Sequence, residues 1–79
     1  MKNYVIGYLS FFENDLKMFK IQAESEYEAV KKTMIEVCSK EEYKESEIEW
    51  QNSEDYPQDL ESLMDMLYNS DIAVEVVEV

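Results

Sequence analysis

The sequence predicts an α+β fold: one small domain over residues 1–79, with a mainly antiparallel sheet and two helices in the order β-β-α-β-α-β. Three observations lead there. Two stretches rich in β-branched and aromatic residues flank a polar turn near the N-terminus. Two later segments repeat apolar residues at helical spacing behind a capping residue. The closing run, Ile72–Val79, is again too β-branched for a continued helix. Length bounds the rest, because a chain of 79 residues buries only about 60% of the surface its unfolded form exposes.

Tyr4–Phe12 is apolar on both faces, as a central strand covered on both sides would be. Glu13-Asn14-Asp15 reads as a turn and Leu16–Ala23 as the second strand. Pairing about that turn sets Tyr8 against Ile21, Ile6 against Ala23 and Phe11 against Met18. Ser25 with Glu28 forms a capping box, and Tyr27, Val30, Met34, Val37 and Cys38 follow on one helical stripe, predicting a helix from Glu26 to about Ser39. Ser46, Ile48 and Trp50 alternate with Glu45, Glu47 and Glu49, which predicts a short third strand, with a helical extension over 42–46 as the alternative. Ser53 or Asp55 caps a second helix with Pro57 in its first turn and Leu60, Leu63, Met64 and Leu67 on its buried face. Asn69-Ser70-Asp71 ends it, and the last strand turns Ile72, Val74 and Val76 to one side.

The residue inventory argues against an enzyme. There is no His, so the usual general acid–base and any Ser–His or Cys–His nucleophile are absent. The single Gly lies in a strand, so no glycine-rich phosphate cradle exists. The single Cys, Cys38, sits on an apolar stripe and reads as a core thiol; one Cys makes neither a disulfide nor a multi-cysteine zinc site. No cofactor is implied. Weak oxygen-ligand sites for Ca²⁺ or Mg²⁺ are conceivable at Glu54, Asp55 and Asp59, or at Glu61 and Asp65, although no EF-hand spacing is present. No apolar run approaches the roughly 18 residues of a membrane span. Lys2 is followed by no signal-peptide pattern, which places the chain in the cytoplasm.

Charge is the strongest signal. Nineteen Asp and Glu against seven Lys make −12. Residues 1–40 carry six of each sign, so residues 41–79, with thirteen acids and only Lys44, hold the entire surplus. A half-chain of this kind repels nucleic acid and acidic membranes and attracts basic surfaces. On a strand, Glu45, Glu47 and Glu49 would stand about 6.6–6.8 Å apart; on a helix, Asp55 with Asp59 and Glu61 with Asp65 would stand about 5–6 Å apart. Duplex DNA carries a charge every ~1.7 Å, so thirteen carboxylates match roughly 22 Å of it. The partner so implied is a protein with a Lys/Arg-rich nucleic-acid-binding site. Tyr43, Trp50, Tyr56 and Tyr68 lie among the carboxylates, as interface anchors do, with Trp50 read as core.

In length, acidity, lack of catalytic groups and a hairpin leading to a Ser25-capped helix, the chain resembles the small acidic phage proteins that block host defence by DNA mimicry, the anti-CRISPR and anti-restriction inhibitors. That resemblance implies a nuclease or its nucleic-acid-binding complex as target, in the host cytoplasm. Tyr56-Pro57-Gln58-Asp59-Leu60-Glu61-Ser62-Leu63-Met64-Asp65 is locally similar to the Tyr-Gly-x-Asn-Leu-Asp-x-Leu-x-Asp helix of barstar-type ribonuclease inhibitors. This second likeness implies inhibitory roles for Glu61 and Asp65. The leading expectation is a non-catalytic inhibitor that docks through Glu45, Glu47, Glu49, Glu54, Asp55, Asp59, Glu61 and Asp65. The alternatives are a barstar-like ribonuclease inhibitor and an assembly module that forms a homodimer through strand edges.

Overall fold

Residues with high β propensity open the chain and form a hairpin. The computed structural model describes residues 1–79, with β1 (Lys2–Ser10) antiparallel to β2 (Asp15–Ala23). α1 (Glu26–Glu36), α2 (Glu41–Gln51) and α3 (Leu60–Asn69) follow, and β3 (Ile72–Glu78) returns antiparallel to the far side of β1. The sheet order is β2-β1-β3. The α+β class and the antiparallel sheet therefore agree with the sequence, but the element order is β-β-α-α-α-β, with three helices in place of two.

The expected strand at 45–50 is the second half of α2. Glu, Lys and Gln favour helix, and an alternation only six residues long is a weak strand signal beside that preference. The half-buried positions of α2 are Lys44, Glu47 and Gln51, spaced as i, i+3, i+7 but polar, so no apolar stripe announces the helix. Tyr43, Ile48 and Trp50 stay exposed.

The hairpin keeps its faces but slips by four residues. Tyr8 pairs with Lys17, Ile6 with Phe19 and Tyr4 with Ile21. An even slip leaves every side chain on its expected side, so burial cannot choose between the two registers. The turn chooses: the chain reverses over residues 11–14, with Asn14 left-handed at φ 53° and the Glu13 N–H donating to Ser10 Oγ at 3.3 Å. Asn tolerates that conformation better than most residues.

α1 begins as its sequence specifies, with the Glu28 N–H donating to Ser25 Oγ at 3.2 Å, and ends at Glu36. α3 starts later than expected. Its cap is Asp59, which accepts from the Ser62 N–H at 2.8 Å, so neither Ser53 nor Asp55 caps it and Pro57 lies before the helix. Asp71, left-handed at φ 64°, turns the chain out of α3, and its carbonyl accepts from the Phe11 N–H at 2.8 Å.

All helical cover lies on one side of the sheet. Tyr4, Ile6, Ala23 and Ala29 form one buried cluster, and Val30, Met34, Tyr56, Leu63 and Leu67 form the other. Ile72, Val74 and Val76 pack against these clusters, as their alternation predicts. The other face of β1, with Val5, Gly7 and Leu9, has no helix over it, contrary to the expected two-sided cover. No helix is long and apolar enough to cross a membrane.

Leu63 is fully buried, so Leu63→Ala lowers the unfolding free energy by about 2–5 kcal/mol in urea titration. Asn14→Ala lowers it by about 1 kcal/mol in the same assay, because Ala pays the left-handed penalty in full.

Candidate functional site

The acidic side chains spread from α2 to α3. Helical geometry sets successive α2 residues 100° apart, so the predicted row of Glu45, Glu47 and Glu49 is divided between two faces. Glu45 and Glu49 are exposed one turn apart, in column with Glu41. Glu47 is half-buried, and its Oε1 accepts from Gln51 Nε2 at 3.1 Å. The same Gln51 amide donates to the Lys31 carbonyl at 2.9 Å, which joins α2 to α1.

Glu54 and Asp55 are exposed in the connection between α2 and α3. Asp55 and Asp59 do not share a helix, so their expected one-turn spacing is absent. Asp59 is committed to its cap, with Oδ2 also accepting from Ser62 Oγ at 3.2 Å. Glu61 and Asp65 do stand one turn apart on α3, both exposed, as the sequence predicted. Beside Asp65, Tyr68 lies edge-on to Phe11, ring centroids 6.2 Å apart, at a shallow groove lined by Met64, Asp65, Tyr68 and Ile72.

Lys44 is the one cation on α2 and α3, and it pairs with Glu41. The three ion pairs are Lys2–Glu78 at 3.8 Å, Lys31–Glu28 at 3.9 Å and Lys44–Glu41 at 4.0 Å. None engages any of the eight predicted carboxylates. Glu41 and Glu42, which the alternating pattern over 45–50 does not reach, are exposed in the first turn of α2, where they complement the helix dipole. A helical reading of 41–51 would have aligned Glu41 with Glu45 and Glu49.

Below this surface lies an aromatic layer. Tyr56 is 2% exposed, against Trp50 at 39%. Tyr56 is thus the core ring, and Trp50, expected in the core, packs edge-on against it from outside, centroids 5.6 Å apart. Lys31 Nζ lies 5.1 Å from the Tyr27 ring centroid and 5.8 Å from that of Tyr56. The Tyr27 hydroxyl donates to the Pro57 carbonyl at 2.6 Å and so ties α1 to the approach to α3. The Tyr56 hydroxyl has no hydrogen-bond partner. Burial pushes its pKa far upward, and the Glu47 carboxylate and the Tyr27 phenol add to that shift.

Burial also raises the Tyr27 phenol, with Glu28 and Asp59 contributing, and the Tyr8 phenol, with Glu13 and Cys38 contributing. Cys38 is half-buried at the end of the α1 stripe, where its thiol donates to the Met34 carbonyl at 3.3 Å. Burial raises its pKa, Glu47 adds to the effect and Lys44 opposes it, so the reactive thiolate is disfavoured. No three Cys, Asp or Glu side chains converge as a metal site would require. Chemically, the surface offers fixed negative charge and aromatic rims.

Comparison with protein-family models, curated proteins and solved structures finds no match.

Tyr56→Phe removes a buried hydroxyl that nothing satisfies; thermal and urea unfolding find the variant at least as stable as the parent, by up to about 1 kcal/mol. The raised phenols hold their protons longer in the folded chain than at the unfolded value of 10.0. Their contribution is therefore complete below that value and is lost as pH rises through the higher folded values. Stability falls as pH rises above about 10, and falls less steeply in Tyr56→Phe.

Proposed function

We propose that this chain is a non-catalytic acidic inhibitor that occupies the Lys/Arg-rich nucleic-acid-binding surface of a nuclease or a CRISPR or restriction complex, in the manner of a phage anti-defence DNA mimic. One observation carries the proposal: of the eight carboxylates singled out, all but Glu47 are exposed, and none is ion-paired. Like charges one helical turn apart, as at Glu41, Glu45 and Glu49, cost α2 about 0.2–0.5 kcal/mol per pair. A cationic partner reverses the sign of that cost on binding. Tyr43, Trp50 and Tyr68, all exposed, supply the aromatic anchors that interfaces favour.

A second reading, a barstar-like ribonuclease inhibitor, rests on the narrower pair Glu61 and Asp65 beside the Phe11–Tyr68 edge contact. The first reading spreads the binding energy over α2 and α3 and the second confines it to α3, so charge reversal separates them.

Against a basic nuclease, affinity falls as salt rises through the screening range. Glu45→Lys with Glu49→Lys weakens a broad mimic by about tenfold or more in Kd. Glu61→Lys with Asp65→Lys weakens both kinds of inhibitor, and in the barstar-like case it alone does so. Titration of each double variant into the nuclease, read by inhibition and by calorimetry, measures this. Unchanged inhibition by both variants overturns both readings.

A further inference from the structure

We infer that the helix-free face of the sheet is the dimerisation surface of this protein, covered by a second copy through a two-fold axis running along β1. That face carries Val5 and Leu9 on β1, Leu16 and Met18 on β2, and Ala73 and Val77 on β3, about a groove of roughly 350 Å³. Leu16, Met18 and Val77 are 65%, 64% and 57% exposed, whereas the solvated face of an antiparallel sheet is ordinarily polar.

Gly7 supplies a second, independent observation. It is the only Gly of the chain, and it sits mid-strand at the floor of this groove. Its φ is not positive, and a Cβ added there would meet nothing nearer than Met18 Sδ at 3.6 Å. Neither backbone conformation nor packing within one copy calls for glycine, which weakens a strand interior. On an axis along β1, Gly7 of one copy faces Gly7 of the other, so no side chain stands between the two β1 strands there.

Charge selects the occupant. Two charged side chains lie on the face, on opposite sides of β1: Lys20 on β2, in the row of Val5, and Glu75 on β3, in the row of Gly7. A two-fold axis along β1 lays β2 of one copy over β3 of the other. Lys20 then faces Glu75 of the second copy with an offset of two residues, about 6.8 Å along the strand, which a lysine side chain spans. The contact occurs twice by symmetry. A two-fold axis across the strands would instead lay β2 on β2 and β3 on β3, which puts Lys20 and Glu75 on different strand pairs. Sheets stacked about 10 Å apart leave the acidic helices on the two outer sides, so like charge does not meet across the contact. The inference rests on the sheet and stands apart from the function proposed for the helices.

Sedimentation equilibrium over about 5–200 µM protein is expected to show a dimer. Lys20→Glu and Glu75→Lys, each alone, replace attraction by repulsion at both contacts, and each is expected to weaken the dimer by about tenfold or more. An equimolar mixture of the two variants restores both pairs and is expected to form a heterodimer as tight as the parent dimer. Both positions are exposed, and circular dichroism confirms that each variant is folded. A parent chain that stays monomeric throughout overturns the inference, as do single variants that dimerise like the parent or a mixture that gains nothing over its components.

Discussion

The seat of α1 on the sheet is the contact on which the rest depends. α1 alone contributes buried side chains to both core clusters: Ala29 meets Tyr4, Ile6 and Ala23, while Val30 and Met34 meet Tyr56, Leu63 and Leu67. The small residues Ala23 and Ala29 let the helix approach the strands closely, and Thr33, fully buried beside them, is satisfied by donating to the Ala29 carbonyl at 2.9 Å. With α1 in place, α3 has an apolar wall to lie against and β3 is brought to the free edge of β1. A chain this short has no second layer to compensate for a poor fit at that seat.

α2 stands in a different position. It buries no residue completely and is held by the Gln51 link to α1, the edge contact of Trp50 with Tyr56 and half-buried polar side chains. Few buried apolar contacts place it at the low-stability end of the fold. The same poverty of burial leaves Glu42, Glu45 and Glu49 outward and without an ion-pair partner. Core-building and charge display are thus divided between elements: α1 and α3 build the core, and α2 with the outer side of α3 carries the charge.

How much was legible beforehand varied with the kind of information involved. Ser25 capping α1, the Leu60–Leu67 stripe and the inward set Ile72, Val74 and Val76 are local patterns with a single buried solution, and each was readable. The hairpin register was not, because a slip of four residues leaves every face unchanged and only Asn14 and the turn distinguish the alternatives. α2 was not either, because its inward positions are polar and its glutamates alternate over just the window a strand would use. The candidate site inherited that error: Glu61 and Asp65 stand as expected, Glu45 and Glu49 share a face without Glu47, and Asp59 is held by a cap.

By itself the sequence determined the class of the fold, the antiparallel sheet, the lack of a histidine-based catalytic apparatus and the concentration of negative charge after residue 40. These follow from composition and short-range periodicity, which need no partner in space. Tertiary structure decided the helical state of 41–51, which glutamates share a face, and the bare side of β1. Each of those depends on what lies opposite a residue, and a side chain's neighbours across the fold are set by packing, not by its place in the chain.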